Sequence, residues 1–181
     1  QAASHATIGD RCAINLAGHN LRRENISRGN WLTSNPHHEA SSRFDMLLKV
    51  LASESKPLAN WTPVHVHTAA NHVTGRVAVL EDTRINPNES GLVQVVLKEA
   101  INICMGDRVI LRDQGAIRTI AGGTIVSPYS PLRGRARPAR LELLRQCVDL
   151  ESHQALEVLL VHATLGLTNT ECINALNMKP S

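Results

Sequence analysis

The sequence predicts a mainly β protein, an antiparallel barrel or sandwich, followed by a small α-helical segment. Short apolar stretches alternate with polar residues, and turn residues separate them, from about residue 11 to residue 126. No helical period lies between these stretches, and such short strands favour an antiparallel sheet that closes on itself or packs on another. After Pro128 the leucines recur every three or four residues, which is the period of a helix.

Composition excludes several other classes of protein. The 181 residues are enough for one large domain or two small ones, and the 43% hydrophobic residues exclude a disordered chain. No apolar run reaches the roughly 18 residues of a transmembrane helix, so we expect no membrane partner. Aromatic residues make up 2% of the chain, too few to stack single-stranded bases. The four cysteines are widely separated and form no C-x-x-C motif, which is typical of reduced thiols in a cytoplasmic protein.

The predicted strands follow in chain order. Residues 12–16 alternate in polarity after a Gly-Asp turn and predict the first strand. Val64 and Val66 alternate with His65 and His67, which places both histidines on the face opposite the valines. Two further groups supply the apolar, mostly β-branched residues that strands prefer: Val73, Val77 and Val79, and then Leu92, Val93, Val95 and Val96.

The second part of the chain predicts a connector and three helices. Prolines make residues 128–140 an extended connector, because each proline fixes φ and discourages a helix before it. Apolar residues at helical spacing in 141–148 and 156–160 predict two helices. Thr168 and Glu171 form a capping box, in which each side chain accepts a hydrogen bond from the other residue's backbone N–H, so a third helix begins there.

The connector also concentrates positive charge. It carries four arginines and no acidic residue, although the net charge of the whole chain is only +3. A local cationic stripe is typical of a surface that binds a polyanion, and it is equally typical of a solvated linker. The candidate RNA-binding residues of this linker are Arg133, Arg135, Arg137 and Arg140.

Three histidines suggest a metal site, but the pattern is incomplete. His65 and His67 share a strand face and His72 follows closely, yet no carboxylate or cysteine lies at a supporting spacing. We therefore favour partly exposed strand histidines over a metal centre. The chain also lacks the G-x-x-x-x-G-K-[ST] loop that cradles nucleotide phosphates and the G-x-S-x-G elbow of hydrolases. We expect no catalytic residue, no metal and no cofactor in this chain.

Six motifs, in this order along the chain, resemble the selenocysteine-specific elongation factors. They are GDRCAINLAG (9–18), ISRGNWL (26–32), HVTGRV (72–77), GDRVILRD (106–113), RTIAGG (118–123) and RGRARP (133–138). The resemblance covers about residues 7–140, and weaker motifs extend it into the helical tail. It implies barrels like those of elongation factor Tu and a winged-helix-like segment after them.

The resemblance implies a division of the chain and a larger parent protein. Residues 1–36 would be the end of the second barrel domain, 37–127 the third-domain barrel, 128–140 a basic linker and 141–181 the start of a winged-helix domain. The parent would be a GTPase that uses GTP and Mg in a domain missing here. It would deliver selenocysteyl-tRNA to the ribosome at recoded UGA codons and bind an mRNA hairpin through further winged-helix domains, in the cytoplasm.

The resemblance also implies individual contacts. Arg11 would lie in the pocket for the esterified amino acid, where a guanidinium favours a selenolate over a serine hydroxyl by roughly 1.5–3 kcal/mol. Thr74, Gly75 and Arg112 would touch the backbone of the tRNA T-stem, with Arg118 on the next strand. Two alternatives stay open: the barrel region of another translation factor, and a metal-dependent β-barrel enzyme that uses the strand histidines.

Overall fold

The computed structural model describes residues 5–7, 9–19, 21–33, 38–150, 152–162 and 168–176. Within these ranges a short 3-10 turn at Arg23–Asn25 precedes the regular strands and helices. The strands are β1 (Ser41–Val50), β2 (Leu58–Ala59), β3 (Thr62–Thr68), β4 (Asn71–Val79), β5 (Arg84–Ile85), β6 (Ser90–Ile101), β7 (Arg108–Arg112) and β8 (Thr119–Ser127). The helices are α1 (Pro138–Cys147), α2 (Ser152–His162) and α3 (Asn169–Leu176).

Six strands close into an antiparallel barrel. Their order around the barrel is β1-β6-β4-β3-β7-β8, and β8 pairs again with β1. The two short strands β2 and β5 form a separate ribbon that joins Leu58 to Ile85. Closure leaves no unpaired edge among these six strands, which removes the usual template for pairing with another chain.

The barrel interior is filled by alternate residues of each strand. In β3, for example, Val64 and Val66 are buried while His65 and His67 are partly exposed on the outer wall. The interior cluster is aliphatic with one aromatic ring and includes Phe44, Met46, Leu48, Val64, Val66, Val77, Val93, Val95, Val109, Leu111 and Ile125.

A second apolar cluster joins the helices to the outer wall of the barrel. The barrel contributes Leu92 on β6 and Val126 on β8, and α1 contributes Leu144 and Cys147. Leu159 of α2 packs against the same cluster. The strands that carry this cluster are therefore covered on both sides, by the barrel core and by the helices.

The predicted barrel followed by a small helical segment is confirmed. The capping box is confirmed too: the Thr168 backbone N–H donates to the Glu171 carboxylate at 2.8 Å, and the Glu171 N–H donates to the Thr168 hydroxyl at 3.2 Å. α1 begins at Pro138, inside the range 128–140 given to the linker. The predicted boundary between residues 36 and 37 lies outside the described residues. None of the described helices has the length and apolar character needed to span a membrane.

The predicted strand over residues 12–16 is wrong. The described residues 9–19 form no regular strand, and Ile14 and Leu16 are 61% and 39% exposed. A strand needs a neighbour to accept its backbone hydrogen bonds, and in the part of the chain that the structure describes no other strand pairs with this stretch. Alternating polarity alone is therefore not enough to make this stretch a strand.

Candidate nucleic-acid interface

The outer wall formed by β3, β4 and β7 is free of acidic residues. The sequences of these strands, TPVHVHT, NHVTGRVAV and RVILR, contain no Asp or Glu. The register places Thr74 directly opposite His65, and His65 directly opposite Arg112. Since neighbouring strands lie about 4.8 Å apart, these three side chains form a row about 10 Å long across the sheet. We call this row with His67 and His72 the cationic face.

The three histidines of the cationic face form one cluster. His65 Nδ1 lies 2.9 Å from His72 Nε2, and His65 Nε2 lies 3.1 Å from the carbonyl oxygen of Gln114. The ring of His72 stacks on that of His65 at 5.1 Å and on that of His67 at 4.4 Å between centroids. His67 Nε2 is buried and has no hydrogen-bond partner among the described residues.

Burial and nearby basic groups lower the pKa of His67. Partial burial is the largest cause that lowers its pKa, followed by the nearby His72 and Arg112, and then by His65 and Arg28. Each of these four neighbours is positive when protonated, so none of them stabilises an imidazolium at His67. The charge of Arg112 is the fixed positive charge of the row, and no carboxylate on β3, β4 or β7 offsets it.

Arg112 and Arg118 differ in how much of their charge is neutralised. One terminal nitrogen of Arg112 donates to the carbonyl oxygen of Ile117 at 2.9 Å. Its Nε is buried without a hydrogen-bond partner in the described ranges, and no ion pair is formed there by Arg112. Arg118 pairs with Glu54 at 2.6 Å and with Asp113 at 3.4 Å. Arg112 is thus the stronger candidate for binding an anion.

Gly75 is explained by strand packing. A Cβ at this position would lie 2.7 Å from the carbonyl oxygen of Val96 on β6 and 3.3 Å from a methyl group of Leu97. The space left by its missing side chain is therefore occupied by the neighbouring strand. Gly75 lies beside Thr74 in the interface without presenting a side chain to a ligand.

The linker arginines divide into two pairs. Arg140 pairs with the buried Asp45 at 2.6 Å and donates to the Ser127 hydroxyl at 3.1 Å. Arg135 donates to the buried side chain of Gln94 at 3.4 Å, and its guanidinium lies 4.7 Å from the centroid of the Trp61 ring. These two arginines anchor the linker to the barrel wall, while the other two, Arg133 and Arg137, are exposed.

Arg11 lies outside the three strands that carry the cationic face. Its side chain is exposed in the stretch without regular secondary structure, and the turn before it is closed by the Asp10 carboxylate, which accepts hydrogen bonds from Thr7. Arg11 lines neither the cleft of about 280 Å³ beside Arg118 nor the cleft of about 570 Å³ between the barrel and α3.

The predicted metal alternative gains no support. Within the described ranges no group of three or more His, Cys, Asp or Glu side chains is arranged to hold a metal ion. Sequence reasoning missed Arg76, which faces outward two residues after Thr74 and donates to the carbonyl oxygen of Trp61 at 3.3 Å. The period-two alternation of β4 was the signal that would have placed it on this wall.

Comparison with known proteins agrees with the geometry. Residues 45–132 match the family model described as selenocysteine-specific elongation factor, beta-barrel domain. The chain is 34% identical over 169 residues to the selenocysteine-specific elongation factor of Escherichia coli. The aligned region covers 93% of this chain and 25% of that protein. The proteins of the same name from Haemophilus influenzae and Desulfomicrobium baculatum are 30% and 31% identical, over 75% and 70% of this chain and 21% and 20% of theirs.

The chain thus spans a fifth to a quarter of the length of the curated relatives that it matches. The matched barrel region contains β3, β4 and β7 in full, together with the cationic face that they carry. The barrel at residues 45–132 therefore belongs to the beta-barrel domain of the selenocysteine-specific elongation factor family, and the chain is a fragment similar to these factors over most of its length.

Proposed function

We propose that this chain is the tRNA-binding barrel region of a translational GTPase that delivers selenocysteyl-tRNA to the ribosome at recoded UGA codons. The observation that carries the proposal is the row Thr74–His65–Arg112 on a wall whose strands contain no acidic residue. The names of the relatives support the choice of translation factor, since each is a selenocysteine-specific elongation factor.

The chemistry of the cationic face suits the backbone of an RNA duplex. A threonine hydroxyl and a guanidinium both donate hydrogen bonds to phosphate oxygens, and neither reads a base at that position. Double-stranded RNA is recognised mostly through its shape, its 2′-hydroxyls and its phosphates. A β wall fixes such donors at constant spacing, because closure of the barrel prevents its strands from sliding. The barrel therefore supplies a rigid docking surface for a stem of tRNA.

The remaining parts of the chain take their proposed roles from the family. Residues 37–127 correspond to the third domain, 1–36 to the end of the second barrel, and 141–181 to the start of a winged-helix domain. The GTPase domain, with GTP and Mg, and the winged-helix domains that bind the mRNA hairpin belong to the parent protein. The proposed role of Arg11 as the selenolate contact rests on the family resemblance.

Salt dependence tests the proposed interface. Each phosphate that a protein neutralises steepens the fall of log affinity with log salt concentration by about one. We expect tRNA affinity of the chain to fall steeply with salt, and Arg112→Ala to reduce the slope by about one. Filter binding or fluorescence anisotropy over a salt series measures both quantities.

Arg108→Ala is the matched control for Arg112→Ala. Arg108 is exposed on the same strand, at the end remote from the row, where it pairs with Thr124. The proposal requires the Arg108 variant to keep the slope of the wild type. Equal slopes for the wild type and the Arg112 variant, or equal losses in both variants, would remove the row from the interface.

A further inference from the structure

We propose that the cationic face binds a phosphate group in a proton-linked manner, with His65 and His72 together taking up one proton from solvent when the phosphate binds. This inference rests on the proposed RNA-binding function and extends it to two residues and to a dependence on pH. It is carried by the geometry of the pair, by the exposure of His72 and by the charges that surround the cluster.

The hydrogen bonds of His65 fix where protons lie in the pair. His65 Nε2 faces the carbonyl oxygen of Gln114, which only accepts, so Nε2 carries a proton. His65 Nδ1 and His72 Nε2 face each other at 2.9 Å, and one proton lies between them. In the neutral pair His65 Nδ1 is therefore the acceptor, and His72 Nε2 is the donor. The other ring nitrogen of His72 is then left unprotonated.

This arrangement accepts one added proton without breaking a hydrogen bond. The proton enters at Nδ1 of His72, which is exposed, and the pair then carries a single positive charge. A second proton would place two N–H groups against each other along the 2.9 Å contact. The pair is thus built to hold one added proton, and His65 places it between Thr74 and Arg112 on the neighbouring strands.

Basic groups surround the histidine cluster. Arg28 approaches His67 from the loop before β1, and Arg112 from β7; both act to lower its pKa, as do the two neighbouring histidines. The acidic residue that follows β7 is Asp113, whose carboxylate accepts hydrogen bonds from the backbone N–H groups of Ile117 and Arg118. The neighbouring strand β6 carries the exposed Lys98 and Glu99, one of each sign, directly after Leu97, the partner of Gly75. A phosphate would supply the missing negative charge and favour the protonated pair.

An unsatisfied guanidinium donor beside the histidines favours an anion over a metal ion. Arg112 Nε and the buried His67 Nε2 both lack a hydrogen-bond partner among the described residues. A guanidinium close to the cluster opposes a cation and favours an anion. The phosphate would come from the backbone of the RNA duplex that the barrel is proposed to bind.

The affinity of the chain for a short RNA duplex, measured at about pH 5.5 and about pH 7.5, tests the inference, since these values flank the ordinary histidine pKa. At constant ionic strength, with a chelator present, we expect about tenfold tighter binding at the lower pH, equivalent to about 1.4 kcal/mol. The double variant His65→Gln with His72→Gln should lose this pH dependence. His162→Gln, at an exposed position on α2, should retain it.

A second probe separates failure of the inference from failure of the proposed function. Titration of the histidine rings by NMR, with and without inorganic pyrophosphate, should show proton uptake by His72 at a higher pH when pyrophosphate is present. Salt-dependent RNA binding with identical affinities at the two pH values would overturn the inference and leave the proposed function standing. Proton-linked pyrophosphate binding without RNA binding would overturn the proposed function and leave the proton-linked site standing. Ring titrations that pyrophosphate leaves unchanged, or binding that requires added Zn²⁺, would overturn the inference.

Discussion

At the scale of single residues, a run of arginines in the sequence conceals two different roles. Arg133, Arg135, Arg137 and Arg140 look alike in the sequence, and charge alone predicts one basic surface. The structure buries the partner of Arg140, since Asp45 is 1% exposed, and it stacks Arg135 on Trp61. Both partners lie far away in the chain, so the pairing depends on the tertiary fold and could not be predicted from local composition.

Arg140→Ala should destabilise the protein strongly. Removal of the guanidinium leaves the Asp45 carboxylate buried without its counter-charge, and breaking a buried ion pair in this way costs about 3–5 kcal/mol. Urea denaturation measures the change in the free energy of unfolding. Arg137→Ala is the control, because that side chain is exposed and makes no capping bond to α1. Comparable losses in the two variants would show that the Asp45–Arg140 pair has no special role.

The histidines illustrate how much of the site the sequence predicts. Alternation along β3 placed His65 and His67 on the outer face, and the structure agrees. The position of Arg112 opposite His65 depends on the pairing of β3 with β7, which are separated by three other strands in the chain. Strand polarity is a local property, whereas the row is a property of the register. The sequence thus predicts the face of each side chain but not its neighbours.

At the scale of elements, β1 shows why a long strand can escape sequence analysis. Met46, Leu47 and Leu48 are three consecutive apolar residues, so the alternation that marks a strand is lost in its centre. Phe44 and Met46 fill the barrel, while Asp45 lies on the other face beneath the linker. The opposite error occurred at residues 12–16, where alternation is present but no partner strand is found in the described part of the chain. A period-two pattern thus becomes a strand only where a partner strand and a core receive it.

Gly123→Ala should weaken the closure of the barrel. A Cβ at Gly123 would collide with the carbonyl oxygen of Leu47 on β1, whereas a Cβ at Gly122 would lie 3.2 Å from the carbonyl oxygen of Val109. Overpacking of this kind costs about 1–3 kcal/mol. We expect a larger drop in the urea midpoint for Gly123→Ala than for Gly122→Ala, the matched control. The reverse order would contradict the close approach of β1 as the reason for this glycine.

The cap of α3 should weaken in acid. The hydrogen bonds from Thr168 lower the pKa of Glu171 below its ordinary value, so the stabilisation is complete above about pH 4.3 and is lost as the pH falls through the lowered pKa. Amide hydrogen exchange in α3 should accelerate over that range. Glu171→Gln should abolish this pH dependence, since its side chain does not titrate. Acceleration of the same size in that variant would assign the effect to another carboxyl group.

At the scale of the whole molecule, the helices pack on the outer wall of the barrel through the second apolar cluster. Cys147 lies in that contact, and the buried Cys104 precedes Met105, whose backbone N–H donates to the carbonyl oxygen of Ala175 in α3. Burial raises the pKa of the Cys104 thiol to about 11 and raises that of Cys147 as well. Both thiols therefore report on the docking of the helices.

Thiol labelling should resolve these cysteines. At about pH 8 we expect the exposed Cys12 to react first with a disulfide reagent, and Cys104 and Cys147 to react only after the helices separate from the barrel. Absorbance of the released thiolate follows the phases, and Cys12→Ser should remove the fast phase alone. The Arg140→Ala variant should speed the labelling of Cys147. Simultaneous labelling of all thiols in the wild type would show that burial does not protect them.

The anchoring of the linker determines where a shortened version of this protein should end. The family match ends at residue 132, ahead of Arg135, Arg140 and every helix that covers Leu92 and Val126. A version that ends at residue 132 would expose the apolar side chains of Leu92 and Val126 on the outer wall. It would also leave the buried Asp45 carboxylate without its ion-pair partner Arg140. Shortened versions are better ended after α3, so that the barrel keeps the cover against which its outer surface is built.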